Sequence, residues 1–453
     1  MKITIHNLGP IKEVSIDLSK HFTILCGLNS TGKTYAAYVV YHLLHNLSGA
    51  PMQRFNKIKD ITKETSCEIT IDDIIEWKNF VEEDVKRALP KIFGISRSEA
   101  ERHFAEFSIS IDLGEDPLSE FIDYKGAGKI ALGSHLLIKW QKHTGQSAII
   151  LTPLEDIDYL KGSAKADVII PTLIGKLIRD SFLKTEWMAR MLTVERNSIY
   201  TFKSELALNR IDFVEEVQEG DESVVRRVNR YPEAVTDSLR TSADLENITK
   251  RDSDFVSIAE SLETDILKGT VRVGEHGEVL FEPFGQEEIR LRIQMASSMV
   301  KTLSSLDVYL RHLASEGQCL IMDEPEMNLH PELQRLLARI FARMVNAGIR
   351  LVISTHSDYI LREINSLVMA NSLKESGDTE TAAQCGISED LLLSPDMLQP
   401  ITFTLDVDGH SSGCVMEIDK YGFQVEAIDE TINQQNEMTI VLSDTLDYYL
   451  QRQ

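Results

Sequence analysis

Apolar residues recur at near-alternate positions from the start of the chain, with Ile3 and Ile5 followed by Ile11, Val14, Ile16 and Leu18 around Asn7-Leu8-Gly9-Pro10. Successive strand side chains face opposite ways, so this spacing with a turn in its middle predicts a β-hairpin over Met1 to Leu18. Phe22 to Cys26 is continuously apolar and β-branched, which reads as a fully buried strand, and Tyr35 to Leu44 carries the composition of a helix. From His45 to Leu183 the pattern becomes mixed. Helical spacing runs from Ile74 to Leu89, and a Gly-rich piece spans Lys125 to Gly133. No heptad repeat is sustained there, so a compact inserted lobe is expected rather than a coiled-coil arm.

Further on, Met191 to Val194 reads as a strand ending in the polar turn Glu195 to Ser198, Phe202 to Asn209 as a helix, and the charged stretch to Lys268 as largely helical. Thr270 to Phe281 predicts a hairpin with His276-Gly277 at its turn, and Ile289 to Leu313 carries apolar residues at helical spacing. Gln318 to Met322 and Arg350 to Ser354 are two buried-strand runs separated by a helix from Pro331 to Asn346, an order that implies a parallel sheet. Ser372 to Leu393 is polar and loop-rich. Phe403 to Ile428 reads as an antiparallel meander with turns at Asp408-Gly409 and Tyr421-Gly422, followed by a helix from Asp429 to Leu450.

Between the buried strand and the first helix stands Gly27-Leu28-Asn29-Ser30-Thr31-Gly32-Lys33-Thr34, which matches G-x-x-x-x-G-K-[ST] at every fixed position. Gly27 and Gly32 let the backbone turn tightly, so that the N–H groups of Asn29, Ser30, Thr31 and Gly32 face the α- and β-phosphates of a nucleotide at a helix N-terminus. Lys33 reaches toward the β- and γ-phosphates, and the Thr34 hydroxyl toward Mg²⁺. A second candidate is Cys319 to Glu324, an apolar strand ending in two carboxylates. In phosphate-loop ATPases the first acid holds Mg²⁺ and the next accepts a proton from the attacking water, which are the roles expected of Asp323 and Glu324. Leu351 to His356 delivers His356 to the same sheet edge, where it can donate to the γ-phosphate.

Composition narrows the field. The 453 residues include 71 acidic and 47 basic side chains, a formal charge of −24, which weighs against a surface-wide nucleic-acid footprint. Only fragments of a basic patch occur, at Arg226, Arg227 and Arg230 and at Lys161 and Lys165. The five cysteines form no C-x-x-C pair, which excludes a zinc ribbon and suits a reducing compartment. With no apolar run long enough to span a bilayer, a cytoplasmic protein without a membrane partner is expected. Asp406-Val407-Asp408-Gly409 lacks the downstream ligands of an EF-hand and reads as a hairpin turn.

The order of these parts resembles ABC-type ATPases of the SMC/RecF/OLD group. The resemblance rests on the opening hairpin, the phosphate loop, Asp323-Glu324-Pro325-Glu326-x-x-Leu329-His330-Pro331 and Ser354-Thr355-His356-Ser357. It implies an α/β head with an antiparallel N-terminal β-subdomain and a mainly parallel core sheet, an inserted mainly helical lobe, and a small C-terminal meander plus helix. The corresponding divisions are 1–46, 47–188, 189–372 and 373–453. By the same resemblance, Ala296 to Lys301 stands where the family places its signature helix, and Ser297 or Ser298 would contact the γ-phosphate of ATP held by another subunit. Met299 occupies a place where glycine is frequent. Glu195-Arg196 resembles the polar turn that replaces a transporter's glutamine loop.

The resemblance implies ATP and Mg²⁺ as cofactors and an ATP-dependent homodimer or higher even-numbered assembly. It also implies a role like that of the ATPase subunits of the Septu or PARIS antiphage systems, controlling a separate nuclease or toxin effector. The alternative is a RecF- or SMC-like ATPase of DNA repair, which would bind DNA through a local basic groove.

Overall fold

The computed structural model describes residues 1–46, 66–114, 121–132, 134–156, 189–201, 231–274, 277–286, 288–378, 380–424 and 426–450. The expected helix over Phe202–Asn209, the turn residue His276 and the basic fragments at Lys161, Lys165, Arg226, Arg227 and Arg230 lie outside the described residues. The N-terminal hairpin forms where the alternation places it. Strand β1 (Lys2–Leu8) pairs antiparallel with β2 (Ile11–Asp17), with Ile5 opposite Val14 and both fully buried.

The three strands carrying the candidate motifs are neighbours. All six residues of β3 (Phe22–Gly27) and all five of β13 (Cys319–Asp323) are buried, the pattern of strands covered on both faces. Strand β14 (Arg350–Thr355) lies between them and pairs parallel with each, setting Ile353 opposite Ile24 on one side and Met322 on the other. The four-residue β9 (Ala189–Leu192) pairs parallel with β13 and closes that edge.

The C-terminal strands are not a separate meander. Strands β15 (Leu398–Leu405) and β16 (Ser411–Val415) form an antiparallel hairpin within the main sheet, β15 parallel to β3 and β16 parallel to β2. The complete order is β5-β1-β2-β16-β15-β3-β14-β13-β9, where β5 (Ser108–Asp112) pairs antiparallel with β1. The antiparallel subdomain and the parallel core expected from the sequence are therefore joined by chain from the far end. Burial explains the placement, because Leu398, Ile401 and Phe403 would be stranded in a solvent-facing hairpin but are at most 2% exposed here.

Helices cover both faces. Helix α1 (Lys33–Asn46) follows the phosphate loop and packs with α2 (Ile71–Phe93) and the N-terminal strands in one core. Thr70 and Asp73 form a capping box at the start of α2, and Gly94 ends it in the left-handed region. The opposite core joins Phe22 and Ile24 to helices Ser298–Val308, Pro331–Asn346 and Asp358–Glu375. In it the Phe22 and Phe341 rings meet edge-on at 6.3 Å, each burial contributing roughly 1.5–3 kcal/mol. The predicted helix over Ile289–Leu313 begins only at Ser298, because Leu291–Arg292 is spent as a short strand on the hairpin Gly269–Val273 and Val279–Pro283.

The inserted region is more mixed than its helical expectation. Strand β5 belongs to the main sheet, and a second antiparallel sheet of order β4-β8-β7-β6 is built from Cys67–Thr70, Ala148–Pro153, His135–Lys142 and Gly126–Leu132. The Gly-rich piece is thus a strand, its Gly126 and Gly128 lying where a Cβ would strike the Trp140 ring at 2.7–2.8 Å. The last helix, Glu426–Leu450, is present as expected, and its residues 434–446 are all exposed.

Candidate functional site

The phosphate loop leaves β3 at Gly27, whose φ of 129° is closed to other residues and whose Cβ would lie 2.5 Å from the Phe403 carbonyl of β15. Ser30 adopts a left-handed φ of 63° at the apex and Gly32 one of 92°. A Cβ on Gly32 would sit 2.6 Å from the Ile11 side chain, so the loop is wedged against the N-terminal hairpin. Thr31 is fully buried. Its hydroxyl donates to Leu28 O at 2.9 Å, and its carbonyl accepts from the Ser411 hydroxyl of β16.

Lys33 folds over this loop, its ammonium donating to Gly27 O at 3.1 Å and Leu28 O at 2.7 Å. Burial lowers its pKa to about 8, against the opposing charges of Cys26, Asp323, Glu324 and Glu326. Next to it the Thr34 hydroxyl donates to both carboxylate oxygens of Asp323, at 3.1 and 3.0 Å. Ser354 at the end of β14 also donates to Asp323. Asp323 is 1% exposed, and burial raises its pKa although these hydroxyls and the Arg196 charge pull it down.

Glu324 lies one residue beyond the strand at a left-handed φ of 45°. Its N–H donates to Ser354 O at 3.0 Å, and its carboxylate stands 3.9 Å from His356 Nε2. Burial, with the Lys33 charge second, lowers the His356 pKa below the usual imidazole value, so the ring is neutral at pH 7. Lys33, Thr34, Asp323, Glu324 and His356, spread over more than 300 residues of sequence, therefore stand together at the ends of three adjacent parallel strands.

A sequence profile for the AAA ATPase domain matches residues 1–121 and 173–361, more than half of the chain. The chain belongs to the AAA ATPase domain family. The profile passes over residues 122–172, which hold the β6–β8 strands of the second sheet. No curated protein matches the chain. Among solved structures, the Smc head bound to the C-terminal winged-helix domain of ScpA is similar at 11% identity and a TM-score of 0.36, over 92% of this chain and 98% of that one. The Smc head with an extended coiled coil from Pyrococcus furiosus gives 14%, 0.32, 97% and 98% for the same quantities. The SMC head domain from Thermotoga maritima gives 10%, 0.31, 92% and 98%.

The residues of this AAA ATPase domain suit a magnesium nucleotide. Mg²⁺ takes one or two protein oxygens and fills its octahedron with water and phosphate. Thr34 and Asp323 offer a hydroxyl and a buried carboxylate side by side, and that carboxylate is supported by hydroxyls rather than by a cation at its oxygens.

Two residues in the site escaped sequence reasoning as to role. Arg196, 1% exposed in the single helical turn Arg196–Ile199, donates to Asp323 O and Glu324 O at 2.6 Å each and to Thr193 O at 2.9 Å. Burial lowers its pKa to about 10, which leaves it charged at neutral pH. Glu326 accepts from the His356 N–H at 2.6 Å and so ties the acidic loop to the loop after β14. The run Leu329-His330-Pro331 also gains a structural reason. Leu329 is buried, His330 caps the helix by accepting from the Glu332 N–H at 3.4 Å, and Pro331 takes the first helical position.

Ser297 and Ser298 stand apart from this cluster. Both are exposed at the start of helix Ser298–Val308, and Ser297 accepts from the Val300 N–H as its cap. Neither bonds to a phosphate-loop residue among the described residues. Met299 packs its side chain against the second core, which accounts for an apolar residue where glycine is frequent.

Proposed function

We propose that the chain binds and hydrolyses ATP with Mg²⁺ and closes around the nucleotide as a pair of copies, as a regulatory subunit that controls a separate effector nuclease or toxin of an antiphage system. The observation that carries the ATP reading is the part-buried contact of Thr34 with Asp323 beside the self-bonded Lys33. In this reading Lys33 leaves its own loop carbonyls for the β- and γ-phosphates, and the loop N–H groups cradle the anion. Thr34 and Asp323 would hold Mg²⁺, which would supply charge neutralisation at the transferred phosphate. Glu324 takes the proton of the attacking water and His356 donates to the γ-phosphate.

Pairing is supported by the exposure of both halves of a composite site. Leu28 on the phosphate loop is 53% exposed and Met295, just ahead of the serine helix, is 72% exposed. Both side chains are thus accessible to another copy. The antiphage role rests on the resemblance in motif order and on the acidic charge, which disfavours DNA as the main partner.

Three measurements test this reading. Lys33→Ala abolishes ATP binding in calorimetry. Glu324→Gln keeps binding, loses turnover and shifts to a dimer or larger even assembly with ATP in size-exclusion chromatography with light scattering; a monomer with and without ATP refutes the pairing. Fluorescence anisotropy with duplex DNA at physiological salt gives no tight binding, whereas submicromolar affinity favours the DNA-repair alternative.

A further inference from the structure

Over residues 434–446 of the last helix, Glu426–Leu450, every side chain is exposed. Met438, Ile440, Val441, Leu442 and Leu446 are 57–63% exposed. A single apolar side chain in water is ordinary, but several within two and a half turns of one helix form a surface that associates.

The sequence of that helix says with what. Ile428, Ile432, Gln435, Thr439, Leu442, Leu446 and Tyr449 follow one another at alternating steps of four and three, the seam along which one helix meets another. The helix carries six carboxylates and no Lys, Arg or His. Five of them, Glu426, Glu430, Glu437, Asp444 and Asp447, fall at heptad positions on the outer face, and only Asp429 flanks the seam. The other flanking positions, Thr431, Asn436, Met438, Ser443, Thr445 and Leu450, are uncharged. A groove rimmed by Lys or Arg would find almost no acid beside the seam to pair with, whereas an identical acidic helix is tolerated because its charges stand away from the contact.

We propose that this helix is a self-association surface that pairs in parallel with the same helix of a second copy of this chain, without nucleotide. Parallel pairing sets Gln435 and Thr439 each against its own copy, so polar meets polar and the register is fixed, while antiparallel pairing would set Gln435 against Leu442. Ile440 and Val441 are as exposed as Leu442 but lie off the seam, which gives the proposal an internal control. Two heads tethered in this way meet at a raised effective concentration, so the helix pair favours closure around ATP. That coupling rests on the pairing reading above; the helix pair itself does not.

Sedimentation of the full wild-type chain without nucleotide, from about 1 to 100 μM, shows a reversible monomer–dimer equilibrium. Leu442→Asp weakens it about tenfold or more, because a carboxylate enters the seam from both copies, and Ile440→Asp leaves it within about twofold. Association persists in about 1 M NaCl, since screening relieves repulsion between the acidic outer faces and leaves apolar contacts intact. With Cys385 and Cys414 replaced by serine, Leu442→Cys gives a disulfide-linked dimer on mild oxidation, as only the parallel register allows. In Glu324→Gln with ATP, Leu442→Asp raises the concentration needed for pairing about tenfold.

A monomer throughout that range overturns the second copy as occupant and turns the surface over to a different protein. Equal losses in Leu442→Asp and Ile440→Asp, or dissociation by salt, overturn the seam, and absence of the disulfide overturns the parallel register. An unshifted ATP response overturns only the coupling. Nucleotide-free association that survives in Lys33→Ala, with no ATP-driven pairing in Glu324→Gln, overturns the earlier pairing reading and leaves this one standing.

Discussion

Replacing Arg196 by methionine separates nucleotide binding from hydrolysis. Methionine donates nothing, so Asp323 O, Glu324 O and Thr193 O each lose one donor, although Glu324 O still accepts from the Met327 N–H at 3.2 Å and Thr193 O from the Arg196 N–H at 3.1 Å. A buried acceptor left unmet costs about 1–3 kcal/mol, while removing an ion from the interior returns several kcal/mol of desolvation. With two of the three carbonyls still met, the net expectation is a folded protein destabilised by at most about 3 kcal/mol. The larger consequence lies at Glu324, whose φ of 45° is a conformation that a residue with a Cβ keeps only while its surroundings hold it.

Without the two 2.6 Å bonds, the backbone at Glu324 relaxes and its carboxylate leaves the position beside His356. Displacing a catalytic group by about an ångström costs on the order of 100-fold in rate, or about 2.7 kcal/mol of barrier. Steady-state hydrolysis therefore falls about 30- to 100-fold, while ATP affinity in calorimetry stays within about threefold, because Lys33 and Thr34 are untouched. Arg196→Lys does not restore turnover, since one ammonium cannot bridge two carbonyls as a planar fork does. A folded Arg196→Met protein with full kcat, or one that loses binding and turnover together, refutes the reasoning.

Gly27→Ala places a Cβ 2.5 Å from the Phe403 carbonyl at a φ of 129°, so it lowers stability by about 2–4 kcal/mol and abolishes ATP binding; urea titration and calorimetry check both. Glu233 is buried, and although burial alone raises its pKa, bonds and charge from His42 and Lys91 bring it down to about 2. Its folded value is the depressed one, so its contribution of roughly 3 kcal/mol is present above pH 5 and is lost as pH falls toward 2. Urea unfolding of wild type and Glu233→Gln thus shows a gap at pH 6 that closes by pH 2, and a gap independent of pH counts against the assignment. Replacing Ile440 and Leu446 together by serine leaves the melting temperature within about 2 °C, because their side chains on the last helix are 59% and 60% exposed.

Local signals carried the reading of the site a long way. The phosphate loop, the acidic pair and the strand before His356 each sit in a short stretch whose apolar run, glycines or charges name the element, and parallel pairing of three such strands leaves little choice about where their ends meet. Arg196 was legible only as part of a polar turn, since nothing in its neighbours says that its partners are carbonyls 127 and 128 residues away. Ile289 to Leu313 misled because apolar spacing does not distinguish a strand that leads into a helix from the helix itself. The Gly-rich composition of 125–133 names no element by itself, because glycine there makes room for the Trp140 ring across a hairpin, a tertiary cause that is invisible to local propensity.

The placement of the C-terminal hairpin has a physical consequence for how the nucleotide loop comes to exist. Strands β2 and β3 are separated by four residues in sequence, yet β16 and β15 lie between them in the sheet. The loop's first glycine is shaped around the Phe403 carbonyl, and the Thr31 carbonyl is held by the Ser411 hydroxyl. Both supports come from residues more than 370 positions downstream, so closing them costs the entropy of a very long loop, and the contact order of this part of the fold is high. The phosphate loop therefore reaches its binding geometry only after β15 and β16 have docked, and an N-terminal fragment ending before residue 398 contains every residue of the nucleotide cluster but not the sheet that shapes it.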